Sequence, residues 1–173
     1  MFNKIVPTIP VLITERLTLR QLLETDATEL FLLRSDETIN KHLDRKPAAS
    51  TEDALNFIRN IRNKELLYWA ITETQHEELI GTICLFDFSK DGTGCEMGFE
   101  LLTGYRHRGI MHEAAKKISA FAANTLAVKT IDAITHKDNL DSIKLLQKLS
   151  FEQVGFTDEA NSDLLQFRLL VGQ

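Results

Sequence analysis

One succession of segments restricts the folds open to this chain more than any other. The strand-like run GCEMGFELL (94–102) is followed by a helical stretch opening near Gly109, and then by the strand-like run TIDAIT (130–135). A strand, a helix and a strand belonging to one sheet make a crossover, and a crossover leaves the two strands parallel. A second helix, LDSIKLLQKL (140–149), carries Ile143, Leu146 and Leu149 at inward spacing, and FEQVGF (151–156) and DLLQFRLLV (163–171) close the chain as strands.

The periodicities ahead of the crossover supply the remaining elements. VLITERLTLRQL (11–22) alternates Ile13, Leu17, Leu19 and Leu22 imperfectly with polar residues and predicts one strand. DATELFLLRSDETINKHL (26–43) places Leu30 and Leu33, then Ile39 and Leu43, at helical spacing, with a break at Ser35–Asp36. Ser50, with Asp53 three residues on, marks another helix start, and Leu55, Ile58 and Ile61 fall on one face. LLYWAIT, ELIGTICLFDF and GCEMGFELL read as three strands, the last two joined as an antiparallel pair by the turn-rich SKDGT. Ala114, Ile118, Phe121 and Ala122 form the buried face of the crossover helix. The expected fold is α/β (α+β): a mixed, partly parallel central sheet of about seven strands with helices on both faces.

Composition narrows the function classes. The chain has 173 residues, 43% hydrophobic and 26% charged, which suits a single globular domain spanning 1–173. A net charge of −5 and a pI near 5.5 argue against a nucleic-acid partner, which needs a basic surface. No apolar run approaches the length of a span, so no membrane partner is expected. The opening MFNKIVPTIPVLI is interrupted by Pro7 and Pro10 and followed by no small-residue cleavage site, so it does not read as a signal peptide. Cys84 and Cys95 lie in strand-like segments without metal-ligand spacing and read as reduced core thiols of a cytoplasmic protein.

The stretch GYRHRGIMHEAAKK (104–117) carries the chemistry. Two arginines and a histidine crowd the start of the crossover helix, where the partial charge is already positive, and no Ser, Thr, Asp or Asn between His107 and His112 can cap it. An anion would relieve both costs: the N–H groups of Gly109, Ile110, Met111 and His112 would face it, with Arg106 and Arg108 supplying charge. The alternative is a water-solvated helix end with two surface arginines. Gly104 and Gly109 have P-loop spacing, but Ile110 and Met111 stand where Lys and Ser or Thr are needed. There is no GxGxxG, so a dinucleotide fold is unsupported. HEAAK lacks the second histidine of a zinc protease, and no metal is expected.

What remains resembles the pyrophosphate loop of the GNAT superfamily of N-acetyltransferases: Gln or Arg, two residues, Gly, one residue, then Gly or Ala. Arg106, Gly109 and Met111 stand at the three defining positions, and an outward-facing Met111 would leave the backbone N–H and room that the third requires. The resemblance covers nearly the whole chain. TERLTLRQLLETDATEL, YWAITETQHEELIGTICL, CEMGFELLTGYRHRGIMHEA and NLDSIKLLQKLSFEQVGF are similar, in order, to segments of the branch that includes ribosomal-protein N-terminal acetyltransferases.

The resemblance implies acetyl-coenzyme A as co-substrate, lying where GFELL and TIDAIT splay apart. Backbone groups of Phe99, Leu101, Leu102 and Thr103 would pair with the pantetheine amides. Arg106, His107, Arg108, Gly109, Ile110, Met111 and His112 would hold the pyrophosphate. Asn139 matches a position that contacts the cofactor arm, and it is equally placed to cap its helix. Ser142 matches a position that protonates the departing thiolate, against the reading of an exposed helix serine. Glu96, with Glu100 second, is the expected base for the acceptor amine; the two share a strand face that would otherwise be merely exposed. Ile134 stands where some relatives carry a base. The acceptor is a protein N-terminus or a small-molecule amine, and FTDEANSDLL (156–165) looks short beside the acceptor-side loop of the ribosomal-protein enzymes. A non-catalytic acyl-coenzyme A binder, acting as sensor or partner protein, would share the cofactor residues, and homodimers occur among relatives.

Overall fold

The structure is a computed structural model that describes residues 9–158 and 161–172. Its strands are β1 (Leu12–Ile13), β2 (Leu17–Gln21), β3 (Tyr68–Glu73), β4 (Gly81–Phe86), β5 (Gly94–Leu101), β6 (Thr130–His136), β7 (Glu152–Asp158) and β8 (Asn161–Leu170). The α-helices are α1 (Ala27–Ser35), α2 (Glu37–Asn40), α3 (Thr51–Asn63), α4 (Ile110–Leu126) and α5 (Leu140–Lys148). The strands lie in one mixed, eight-stranded sheet in the order β1-β2-β3-β4-β5-β6-β8-β7. The crossover through α4 makes β5 and β6 parallel, with Gly94, Cys95 and Glu96 opposite Thr130, Ile131 and Asp132.

The chain packs as two compact units, one comprising residues up to Cys84 with Phe99–Ala114, the other Leu85–Gly98 with Ala115 onward. The first unit has a core of Leu22, Leu30, Leu33, Ile39, Ala54, Ile58, Ile61, Ala70 and Leu79, with Phe57, Tyr68 and Leu102 packed against it. The break expected at Ser35–Asp36 is real: Asp36 caps α2 by accepting from the Ile39 N–H (2.9 Å). Leu43 lies beyond α2 and is exposed. At α3, Ser50 Oγ accepts from the Asp53 N–H (3.2 Å), and Asp53 Oδ2 accepts from the Ala49 N–H (2.9 Å). Trp69 is fully buried and donates to the Pro10 carbonyl (3.0 Å).

The single strand expected over 11–22 is instead a hairpin, β1 pairing antiparallel with β2. Thr14 makes the turn, its N–H bonding the Leu17 carbonyl (2.9 Å) and its hydroxyl oxygen accepting from the Leu17 N–H (3.0 Å). This extra edge strand accounts for eight strands rather than about seven.

In the second unit Ile118, Ala122, Ile131, Ala133, Leu146, Phe151 and Phe167 are buried. β8 runs antiparallel to both β6 and β7. Ile143 of α5 and its C-cap residue Leu149 are half-buried, and Leu146 is buried. Among the described residues Cys84 and Cys95 form no disulfide; the first is half-buried and the second buried, and burial pushes the Cys95 thiol up to about 12. Among the described residues no helix is long and apolar enough to cross a membrane.

Candidate functional site

The start of α4 is built on unusual backbone. After β5, Thr103–Tyr105 forms one 3-10 turn, Arg106 is extended, and His107 and Gly109 take φ of 60° and 74°. Glycine is favoured at 109: a side chain would be held in the left-handed region, and its Cβ would lie 3.3 Å from Arg16 Nη2, which would have to yield. The Glu113 N–H bonds the Gly109 carbonyl (3.1 Å), so the N–H groups of Ile110, Met111 and His112 precede the helical ladder. Met111 is buried at 6% exposure, which corrects the expectation of an outward-facing side chain. It shares the inward stripe of Ala114, Ala115 and Ile118, three, four and seven residues on.

The crowded cations turn out to have different partners. The Arg108 guanidinium bonds Glu73 Oε1 (3.2 Å) and lies 5.4 Å from the centre of the Tyr105 ring. Arg16 donates from Nη1 to the Arg108 carbonyl (2.9 Å) and from Nε to Glu113 Oε2 (2.7 Å). Glu113 Oε1 accepts from the Thr14 hydroxyl (2.6 Å) and the Arg16 N–H (2.9 Å). Burial pushes the Glu113 carboxyl up, but Thr14 and Arg16 together outweigh it and hold the carboxyl below its ordinary value. A carboxylate in the first turn also has the sign a helix start favours. Arg106 is half-buried, and among the described residues its guanidinium has no hydrogen-bond or ion-pair partner.

β5 carries the next candidates. Phe99 is half-buried, Leu101 is buried, and the Leu102 N–H bonds the Ile80 carbonyl (2.9 Å) ahead of exposed Thr103. The two glutamates differ sharply. Glu100 is 8% exposed and ion-paired to Arg45; burial pushes its carboxyl up, opposed by Arg45 and Arg34. Glu96 is half-buried, and among the described residues its carboxylate makes no hydrogen bond or ion pair. Burial raises its pKa, as do the nearby charges of Asp87 and Asp132. Asp132, its partner in the β5–β6 register, is held by Arg168 Nε (2.7 Å) and Nη2 (2.8 Å) and by Gln166 Nε2 (2.9 Å). Among the described residues Glu96 is thus the unpaired carboxylate of the two, and Glu100 is engaged.

At the start of α5 the Asn139 Oδ1 accepts from the Ser142 N–H (3.3 Å), so Asn139 acts as the N-cap. Ser142 is half-buried. Ile134 is 41% exposed, and His136 Nδ1 accepts from the Asp138 N–H (3.2 Å). FTDEANSDLL includes residues 159–160, outside the described residues. The pairings Arg45–Glu100 and Arg108–Glu73 escaped the sequence reading, because nothing local joins residues so far apart in the chain.

Residues 16–152 match the acetyltransferase (GNAT) domain family. The chain is 32% identical over 149 residues to the uncharacterized N-acetyltransferase p20 of Bacillus licheniformis, covering 83% of each chain. The fold is similar to that of the microcin C7 self immunity acetyltransferase MccE, solved in complex with acetyl-CoA and AMP (TM-score 0.78, 19% identity, 91% of this chain and 94% of that one). It is also similar to that of the ribosomal-protein-S5-alanine acetyltransferase from Vibrio fischeri (TM-score 0.72, 17% identity, 93% and 96%). A family match across most of the chain, on a sheet with the expected parallel pair, shows that this protein belongs to the GNAT N-acetyltransferases, which use acetyl-coenzyme A.

Proposed function

We propose that the protein transfers the acetyl group of acetyl-coenzyme A to a primary amine, which attacks the thioester directly. Arg106 carries this reading: of the loop's two arginines it is the one whose guanidinium is left for a ligand, since Arg108 is tied to Glu73. Arg106 and the N–H groups of Gly109, Ile110, Met111 and His112 would hold the pyrophosphate, with His107 and Arg108 shaping the loop through their backbone. A helical residue can bury its side chain and still present its N–H along the axis, so the buried Met111 suits the role. Phe99, Leu101, Leu102 and Thr103 would supply backbone partners to the pantetheine arm, and the Asn139 amide nitrogen would contact it while the oxygen caps α5.

Bound acetyl-coenzyme A supplies an activated thioester; the protein manages protons and charge. The amine must be neutral to attack, and Glu96, unpaired among the described residues and with its pKa raised by burial, would accept its proton directly or through water. Ser142 would donate a proton to the departing thiolate. The test is incubation with acetyl-coenzyme A and a panel of small amines and N-terminal peptides, following product mass and released thiol. Acetylated product in step with thiol release is expected. Coenzyme A binding without product from any amine would overturn the enzyme reading in favour of a non-catalytic binder.

A further inference from the structure

The first unit holds a buried polar cluster that acetyl transfer as described leaves unused. Arg45 comes from the connector between α2 and α3 and is 20% exposed; it covers Glu100, its ion-pair partner on β5. Arg45 Nε donates to Asn40 Oδ1 (2.7 Å), while its Nη2 is buried with no hydrogen-bond partner among the described residues. Both Glu100 carboxylate oxygens are likewise buried without a hydrogen bond of good geometry, Oε1 being held by the Arg45 ion pair, and the Thr82 hydroxyl stands close enough to help lower the carboxyl's pKa. Arg34 of α1 lies 4.0 Å over the Phe57 ring, which meets Tyr68 edge-on at 5.5 Å. Burial, and then repulsion from Arg45, lower the Arg34 pKa, with the Glu100 carboxylate and the Tyr68 hydroxyl acting the other way.

Two guanidiniums therefore stand near one carboxylate, Arg45 paired to it and Arg34 within reach of its charge, in a half-desolvated site, which leaves a surplus of one positive charge. Such a surplus is costly unless an anion joins it. A monoanion balances it, whereas a phosphate would overshoot, and the planar donor fork of arginine fits a carboxylate. Glu100 lies within the Phe99–Thr103 stretch assigned above to the pantetheine arm, so this inference rests on the acetyl-transfer reading. We propose that Arg34 and Arg45 bind a carboxylate carried by the acceptor, making the acceptor a small amine that bears its own carboxylate, of the amino-acid class. Arg45, set on a connector and a fifth exposed, receives it; Glu100 is the internal counter-ion with which it competes.

The test uses matched product pairs, N-acetyl amino acids and their N-acetyl amino acid amides, titrated calorimetrically into the protein in the presence of coenzyme A. The acids should bind roughly ten- to a hundredfold more tightly than the amides, the worth of a charge-assisted pair. Arg34→Gln and Arg45→Gln should bring that ratio towards one. Glu100→Gln, which removes the competitor, should raise it, an effect that a purely structural ion pair would not produce. Should Arg45→Gln fail to fold, Arg34→Gln and Glu100→Gln still decide. Equal or undetectable binding of acid and amide by the wild type, or a ratio unmoved by the arginine variants, would overturn the proposal. Absence of coenzyme A binding would instead strike the acetyl-transfer reading itself.

Discussion

Glu113→Ala probes how the loop before α4 is held. Glu113 accepts three hydrogen bonds from the β1–β2 turn, and Arg16, one of the donors, also grips the Arg108 carbonyl. The bonds from the Thr14 hydroxyl and the Arg16 N–H contribute about 1 kcal/mol each at this part-exposed position. The Arg16 guanidinium is 48% exposed, so solvent screening limits its ion pair to about 0.5 kcal/mol. The charge at the helix start adds about 0.5 kcal/mol. A loss of about 3 kcal/mol is therefore expected, or a Tm lower by roughly 6–12 °C for a chain of this size. Urea unfolding should be followed by far-ultraviolet dichroism and by the fluorescence of Trp69, whose coincidence would establish a two-state transition. The Glu113 carboxyl is held low in the folded state, so its contribution is full above the unfolded pKa and fades as pH falls through the folded one. The gap between wild type and variant should narrow accordingly in acid. A gap below about 0.5 kcal/mol near neutral pH would refute the reasoning, as would one indifferent to pH.

Gly109→Ala should cost about 1–2 kcal/mol through its left-handed backbone, with the mobile end of Arg16 yielding to the new methyl group; an unchanged Tm would deny the strain. Glu96→Gln should remove the rise of kcat/KM through the carboxylate range and should also stabilise the fold near neutral pH. The sign follows because a carboxyl raised on folding binds its proton more tightly when folded, so stability is lost as pH climbs through that range. An unaltered pH profile would move the base elsewhere. Ser142→Ala should lower kcat by roughly a hundredfold with KM for acetyl-coenzyme A unmoved. Because the capping bond uses the Ser142 N–H, Tm should hold; wild-type turnover would remove Ser142 from the mechanism.

What was legible in the sequence was what local chemistry dictates. Ser50 with Asp53, the Ser35–Asp36 break and the crossover through α4 are written in a few neighbouring residues, and each has its expected place in the structure. The turn at Thr14 was missed although its bonds to Leu17 are local, because a threonine among apolar residues suits a continuous strand equally well; its tie to Glu113 lies far along the chain. The orientation of Met111 was missed because the motif draws attention to its N–H, while its side chain obeys the helical period of Ala114 and Ile118. The contrast between Glu96 and Glu100 could not be seen either. On one strand face they look alike, and Arg45, from a connector without regular structure, separates them.

The account turns on Arg106 as the cation reserved for a pyrophosphate. Calorimetric titration of the wild type and Arg106→Ala with coenzyme A, and with pantetheine as the fragment lacking the pyrophosphate, tests it most directly. Coenzyme A affinity should fall by roughly tenfold or more, the worth of one charge-assisted contact, with pantetheine binding unchanged. Equal coenzyme A affinity in the two proteins would contradict the account.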